Sequence, residues 1–210
     1  MPRVNHVAKA RKAQGNCGKC GTPIKQGDPY KWIKFRYGGK RIICGKCQFR
    51  DGDLTQGKLG TVYSARDSAL EEVKNWAPDD GADALKDIAT TAAEEIKTVA
   101  EEYRESAENI REHFSESSTA DECEDKADQL EEYADEIEGV DVDDFDEDEV
   151  KREAGEEYEE EHPKPKNEDK IPAWEEKRDD YIEEQLQEKL NEWGEEARSV
   201  IEEALGNCPL

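Results

Sequence analysis

The chain has 210 residues, 34% of them hydrophobic and 40% charged, with a net charge of −25, a composition too polar for one large hydrophobic core. It holds no run of eighteen apolar residues to cross a bilayer, and the basic segment Met1 to Gln14 lacks the apolar stretch of a secretory signal. Residues 1–60 carry fourteen Lys/Arg against three aspartates, or +11, whereas 61–210 carry sixteen against fifty-two acids, or −36. The expected architecture is a small folded head followed by a weakly cored acidic extension. The expected location is a reducing cytoplasm. Surplus carboxylates also occur as an adaptation to high salt, but the basic head argues against a purely global one.

The chain opens on a basic arm with Arg3, Lys9, Arg11 and Lys12. Four of the six cysteines follow in two identical knuckles, Cys17-Gly18-Lys19-Cys20 and Cys44-Gly45-Lys46-Cys47, separated by twenty-three residues. Two such knuckles supply the four soft ligands that a tetrahedral zinc ion takes without long side-chain excursions. A disulfide framework belongs to secreted chains and fits two tight CxxC pairs poorly. Four thiolates close the coordination shell, so no position remains for a metal-bound hydroxide. Gly18 and Gly45 are expected where backbone amides turn towards sulfur.

Between the knuckles, a turn-rich approach at Thr22–Asp28 leads to strands over Tyr30–Tyr37 and Lys40–Ile43, with Gly38-Gly39 as the hairpin turn. Ile33, Phe35 and Tyr37 share one face and Tyr30 and Trp32 the other. Binding of structural zinc contributes about 10–16 kcal/mol in peptides of this kind, so the metal is expected to decide whether the head folds.

The run CGKCG, PIKQGDPYKW, RIICGKC and the polar DGDLTQGKLG, over about residues 14–60, resembles treble-clef zinc fingers, in which a knuckle and hairpin lead to a second pair at the start of a helix. It is also similar to small bacteriophage-encoded zinc-finger proteins, some loosely labelled as poly(ADP-ribose) polymerase-type fingers. The polymerase-type finger uses histidine as its third ligand, where this chain has Cys44. The resemblance implies a small α+β head and a viral source, with the host's cytoplasm as the location, and points to no particular activity. A treble clef also houses some nucleases, yet none of the three histidines (His6, His113, His162) lies between the knuckles, and no catalytic set or phosphate-cradling loop is visible. A non-enzymatic protein with no small-molecule substrate is expected.

With four thiolates and one zinc ion, the head's +11 becomes +9. Arg11, Lys12, Lys31, Lys34, Arg36, Lys40 and Arg41 are the candidate nucleic-acid contacts, several of them interleaved with Tyr30, Trp32, Phe35 and Tyr37 as cations and aromatic faces are in single-strand binders. The competing reading makes those aromatics the core and leaves the lysines to keep the head soluble or to pair with the chain's own acids.

The remainder reads as helices. One is expected over Thr61–Trp76, stopped before Pro78. A second, Ala82 to about Phe114, carries Leu85, Ala89, Ala92, Ile96, Val99, Tyr103, Ser106, Ile110 and His113 at heptad steps. After a break at Ser115–Thr119, Ala120, Cys123, Ala127, Leu130, Ala134 and Ile137 continue the seam. This predicts an antiparallel hairpin or one arm of an oligomeric coiled coil. An alanine-rich seam buries little area, so partner helices or self-association are expected. Asp141–Glu149 reads as a solvated acidic connector, a weak helix follows to Glu160, and His162–Lys166 interrupts it. Pro172 to about Leu205 carries the strongest apolar stripe outside the head, with Gly206 as its stop. The expected organisation is thus a basic zinc module at 1–60, acidic coiled-coil-like helices at 61–138, a linker at 139–171 and an amphipathic helix at 172–210. Three functions fit this organisation: nucleic-acid binding with regulatory acidic helices, a zinc-stapled interaction scaffold, and an acidic decoy that mimics DNA.

Overall fold

The fold is that of a computed structural model, which describes residues 2–36 and 38–209. Five short strands come first: β1 (Asn5–Val7), β2 (Gly15–Asn16), β3 (Pro23–Ile24), β4 (Tyr30–Lys34) and β5 (Lys40–Cys44). Six helices follow: α1 (Asp51–Leu54), α2 (Lys58–Asn75), α3 (Gly81–His113), α4 (Ser118–Glu138), α5 (Glu147–Glu161) and α6 (Ile171–Gly206). The chain divides into two compact units, each assembled from separated stretches. One joins the chain up to Ser68 with Glu95–Glu131, and the other joins Ala69–Glu94 with the chain from Glu132 onward.

In the first unit, β1, β4 and β5 form an antiparallel sheet in that order, with Trp32 opposite both Asn5 and Ile42. The alternation expected for β4 holds: Lys31, Ile33 and Phe35 are buried, while Tyr30 and Trp32 are half-buried and Lys34 is exposed. Two details differ from the sequence reading. Pairing ends at Lys34 opposite Lys40, so the ladder stops before the two-residue turn expected at Gly38-Gly39. Phe35 lies beyond the ladder but keeps the alternation, its ring 7% exposed with the Arg41 guanidinium 5.4 Å from its centroid. Tyr37, assigned by sequence to that strand, lies outside the described residues. The basic arm is also not free. Asn5–Val7 pairs with the edge of β4, and beyond it Ala10 is buried and bonded through its backbone to Asp28 and Gly27. β-Addition of this kind needs only main-chain groups and an open strand edge, so side-chain pattern gives little warning of it.

The helical part of this unit is an antiparallel pair drawn from α3 and α4. Arg104 binds Asp128 at 3.1 Å and also Glu131, and Arg111 binds Asp121 at 2.9 Å and Glu124 at 2.6 Å. The descending partner numbers define the antiparallel hairpin, closed by the serine-rich turn. Lys58 on α2 pairs with Glu102 and places its ammonium 4.9 Å from the Tyr103 ring centroid.

Leu85, Ala89, Ala92, Ile96 and Val99 of the predicted seam are buried within the single chain, and Ala93, Ala100 and Ala107 add a second buried stripe at sevenfold spacing. A face this wide is what a helix packed on more than one side presents. At its far end the seam weakens, with Ile110 half-buried and His113 exposed.

In the second unit, α5 and α6 run antiparallel. Tyr158 contacts Trp174 and Tyr181 with centroids 5.7 and 5.5 Å apart, and Gly155 faces Arg178 and Ile182. The acidic run before α5 is more than a connector. Asp146 caps the helix by accepting from the Glu149 amide at 2.9 Å, and Glu147, Asp148 and Glu149 fill the first turn, where the helix dipole favours anions. Val142 is buried and the Trp193 indole donates to the Asp143 carbonyl at 2.9 Å, which ties the run down. Tyr133, buried to 1% exposure, donates its hydroxyl to the Leu205 carbonyl at 2.7 Å. Gly206 is the last helical residue rather than a left-handed stop, and the cap falls on Asn207 at φ −82°. Among the described residues, no helix is long and apolar enough to cross a membrane.

Candidate metal centre

The two knuckles close on one another at the end of the β4–β5 ladder. Cys44 ends β5 opposite Tyr30, and Cys47 follows at the turn. Cys17 follows β2, and its amide donates to the Thr22 carbonyl at 2.8 Å, so the β2–β3 ribbon fixes the first knuckle. Beneath them Cys17, Ile24 and Ile43 form a buried cluster against which Tyr30, Ile42 and Phe49 pack.

The four Sγ atoms lie within 4.8 Å of one another. Cys17 to Cys47 and Cys20 to Cys44 are each 3.8 Å, and Cys44 to Cys47 is 3.6 Å. A tetrahedral ion with metal–sulfur bonds of about 2.3 Å requires sulfur–sulfur edges of about 3.8 Å, so the tetrad has the right span to hold one metal ion. Among the described residues it is the one cluster of metal-ligating side chains of this kind, and Cys123 and Cys208, both half-buried, lie outside it.

The surroundings favour sulfur in its charged form unevenly. Burial pushes the Cys17 thiol up, but hydrogen bonds from the backbones of Cys20, Cys44 and Lys19 outweigh it and bring the group down to about 6. The Cys44 amide reaches Cys17 Sγ at 3.2 Å and the Lys19 amide at 3.4 Å. Cys20 is lowered by the Thr22 hydroxyl, 3.2 Å from its sulfur, and by the Thr22 amide. Cys47 carries the opposite burden, since hydrogen bonds with the Cys44 and Cys20 thiols, followed by burial, push it up to about 12. Without metal, the tetrad therefore shares protons unequally. A bound cation replaces those protons with one positive centre common to all four.

The knuckle glycines have a different reason from the one expected. Neither Gly18 nor Gly45 has positive φ; that conformation falls on Gly21, at +70°. Instead, each donates its amide across to a carbonyl, Gly18 to Ile42 and Gly45 to Pro29, both at 2.9 Å. A Cβ on Gly45 would sit 2.7 Å from Pro29 Cγ, and one on Gly18 would sit 3.2 Å from the Ile42 oxygen. Close approach of a neighbouring residue, not turn conformation, crowds a side chain at both positions, more severely at Gly45. The second knuckle also departs from the treble-clef arrangement, because the nonhelical Gln48–Arg50 separates Cys47 from the one-turn α1.

The predicted basic contacts are dispersed. Arg11 and Lys12 are exposed between β1 and β2, and Lys34 and Arg36 are exposed at the loop end of the hairpin. The Lys40 ammonium lies 4.3 Å from the Trp32 ring centroid and 5.8 Å from that of Tyr30. Arg41 covers Phe35 and donates to the Asp53 carbonyl at 3.2 Å. Lys31 stands apart from this surface. It is 8% exposed, and its ammonium donates to the Cys47 carbonyl at 2.8 Å and to Gln48 Oε1 at 2.7 Å. Sequence reasoning grouped it with its neighbours by charge, and only the alternation of β4 distinguishes it. Asp53 was likewise passed over: it accepts from Lys19 at 2.7 Å and from the Arg50 amide at 2.9 Å, joining the first knuckle to α1.

No family model, curated protein or solved structure matches this chain.

Proposed function

We propose that the tetrad holds one structural zinc ion and that the head it folds binds nucleic acid without catalysing a reaction, while the acidic helices restrain that binding. What supports zinc is the all-cysteine donor set in a closed tetrahedral span, the shell in which zinc needs no open position. What carries the binding reading is the half-buried sheet face on which Lys40 lies over Trp32 and Tyr30 with Lys34 beside them, a pairing of cations and ring faces that suits phosphates and bases together. Lys31 is left out of the contact set because its ammonium serves the second knuckle. The restraint rests on the −36 carried by residues 61–210 of the same polymer, a competing anion at high local concentration.

The test is a titration of the full zinc-loaded chain with labelled single-stranded and duplex oligonucleotides at two salt concentrations. Binding should weaken steeply with salt. The triple variant Lys34→Ala, Arg36→Ala, Lys40→Ala should lose it while retaining zinc. Absence of binding by the full chain at low salt, and by a chain whose α4 carboxylates are neutralised, would remove the nucleic-acid reading. A zinc-stapled interaction scaffold is the second reading, favoured by the engagement of Lys19, Lys31 and Lys58 within the chain itself.

A further inference from the structure

The second unit contains an open groove of about 400 Å³ that nothing in the proposed function uses. Its floor is apolar, formed by Phe145 together with Leu186, Leu190 and Trp193 of α6, with Pro78 at one side. Leu186, Leu190 and Trp193 are all half-buried, so the chain leaves part of this floor uncovered.

The floor is held in shape. Trp193 is fixed through its indole nitrogen to the Asp143 carbonyl, and its ring lies 5.7 Å from both Trp76 and Phe145. Trp76 is itself buried, with its indole donating to the Gly81 carbonyl at 3.1 Å and its own carbonyl accepting from Arg198 at 2.9 Å. Pro78 is seated against Gly194, where any Cβ would fall 2.4 Å from the proline ring. A ligand entering this groove meets a preformed surface, which lowers the ordering cost of binding.

The rim has a single sign. Asp79, Asp144, Glu147 and Glu183 line it, and no lysine or arginine does. Lys151 pairs with Glu147 and acts at longer range on Glu183, while Asp79 and Asp144 are exposed. An apolar floor with an anionic rim is complementary to an amphipathic segment whose bulky apolar residues are flanked by lysine or arginine, as in helix-in-groove recognition. A second copy of this chain is a poor occupant, since 61–210 carries −36 and like-charged rims repel.

We propose that this groove docks a cationic amphipathic peptide segment of another protein, with an apolar side chain on the Leu186–Leu190–Trp193 floor and basic groups at the four carboxylates. The test uses the full chain and two labelled probes: an amphipathic leucine/lysine peptide and a leucine/glutamate peptide with the same leucine positions. The lysine peptide should bind and the glutamate peptide should not. The double variant Asp144→Lys, Glu183→Lys should weaken the lysine peptide about tenfold or more at low salt, whereas Glu202→Lys, Glu203→Lys, an equal charge change elsewhere on α6, should weaken it by less than about threefold. Leu190→Asn, which changes no charge, should weaken it about fivefold with helicity retained. Equal loss in the two charge-reversal variants, an unaffected Leu190→Asn, or binding competed away by self-association of the chain would each overturn the proposal.

Discussion

Lys31→Met separates two roles that a basic residue in this head can have. The side chain is 8% exposed and its ammonium donates to the Cys47 carbonyl at 2.8 Å and to Gln48 Oε1 at 2.7 Å. Methionine keeps the length and packing but leaves the Cys47 carbonyl without its charged donor. A carbonyl so stranded costs about 1–3 kcal/mol, and relief from burying an ammonium returns part of it, for a net loss of about 1.5 kcal/mol. If the knuckle folds only around metal, that loss appears in the metal equilibrium as a roughly tenfold weaker zinc affinity. Competition with a chromogenic chelator measures it directly. Lys34→Met, three residues along the strand on the exposed face, should leave zinc affinity unchanged while reducing nucleic-acid binding. Equal zinc affinities in Lys31→Met and Lys34→Met would refute the assignment of Lys31 to the knuckle.

Cys17→Ser or Cys47→Ser should abolish stoichiometric metal retention and unfold the head, read by near-ultraviolet circular dichroism, with the signal of the second unit kept. Acidification should release the metal, because ligand thiolates take up protons as pH falls and free thiols titrate near about 8.5, and a pH-jump with a zinc indicator should show metal release below neutrality and recapture on return. Gly45→Ala should lower the thermal midpoint and metal affinity together, since its Cβ meets Pro29 at 2.7 Å and must disturb the 2.9 Å amide bond to the Pro29 carbonyl, a cost of about 1–3 kcal/mol. Tyr133→Phe removes the buried hydroxyl bond to the Leu205 carbonyl and should destabilise by about 1–1.5 kcal/mol in chemical denaturation, with no effect on zinc.

The cysteine tetrad was legible because its members repeat as CGKC and need no knowledge of the rest of the chain. The helices were legible from periodicity, and Lys58–Asn75, Gly81–His113 and Ile171–Gly206 fall close to the expected spans. What composition could not convey was partnership. β1 joins the sheet by main-chain bonds, so Asn5–Val7 carried no side-chain signal beyond a basic arm. The acidic run before α5 was read for repulsion alone, although Asp146 and the three acids after it are what a helix N-terminus favours. The heptad seam conveyed one buried face, whereas a second stripe at Ala93, Ala100 and Ala107 is buried as well. Each compact unit is built from stretches far apart in sequence, an arrangement that no local pattern announces.

The claim on which the rest depends is that four thiolates hold a single zinc ion and that the head folds around it. X-ray absorption at the zinc edge, on protein purified under reducing conditions with its metal content measured, tests this most directly. The account predicts one zinc per chain with four sulfur neighbours at about 2.3 Å and no nitrogen or oxygen in the shell, with near-ultraviolet circular dichroism of the head lost on chelation. A shell containing light-atom ligands, or a metal-free chain whose head remains folded, would contradict it.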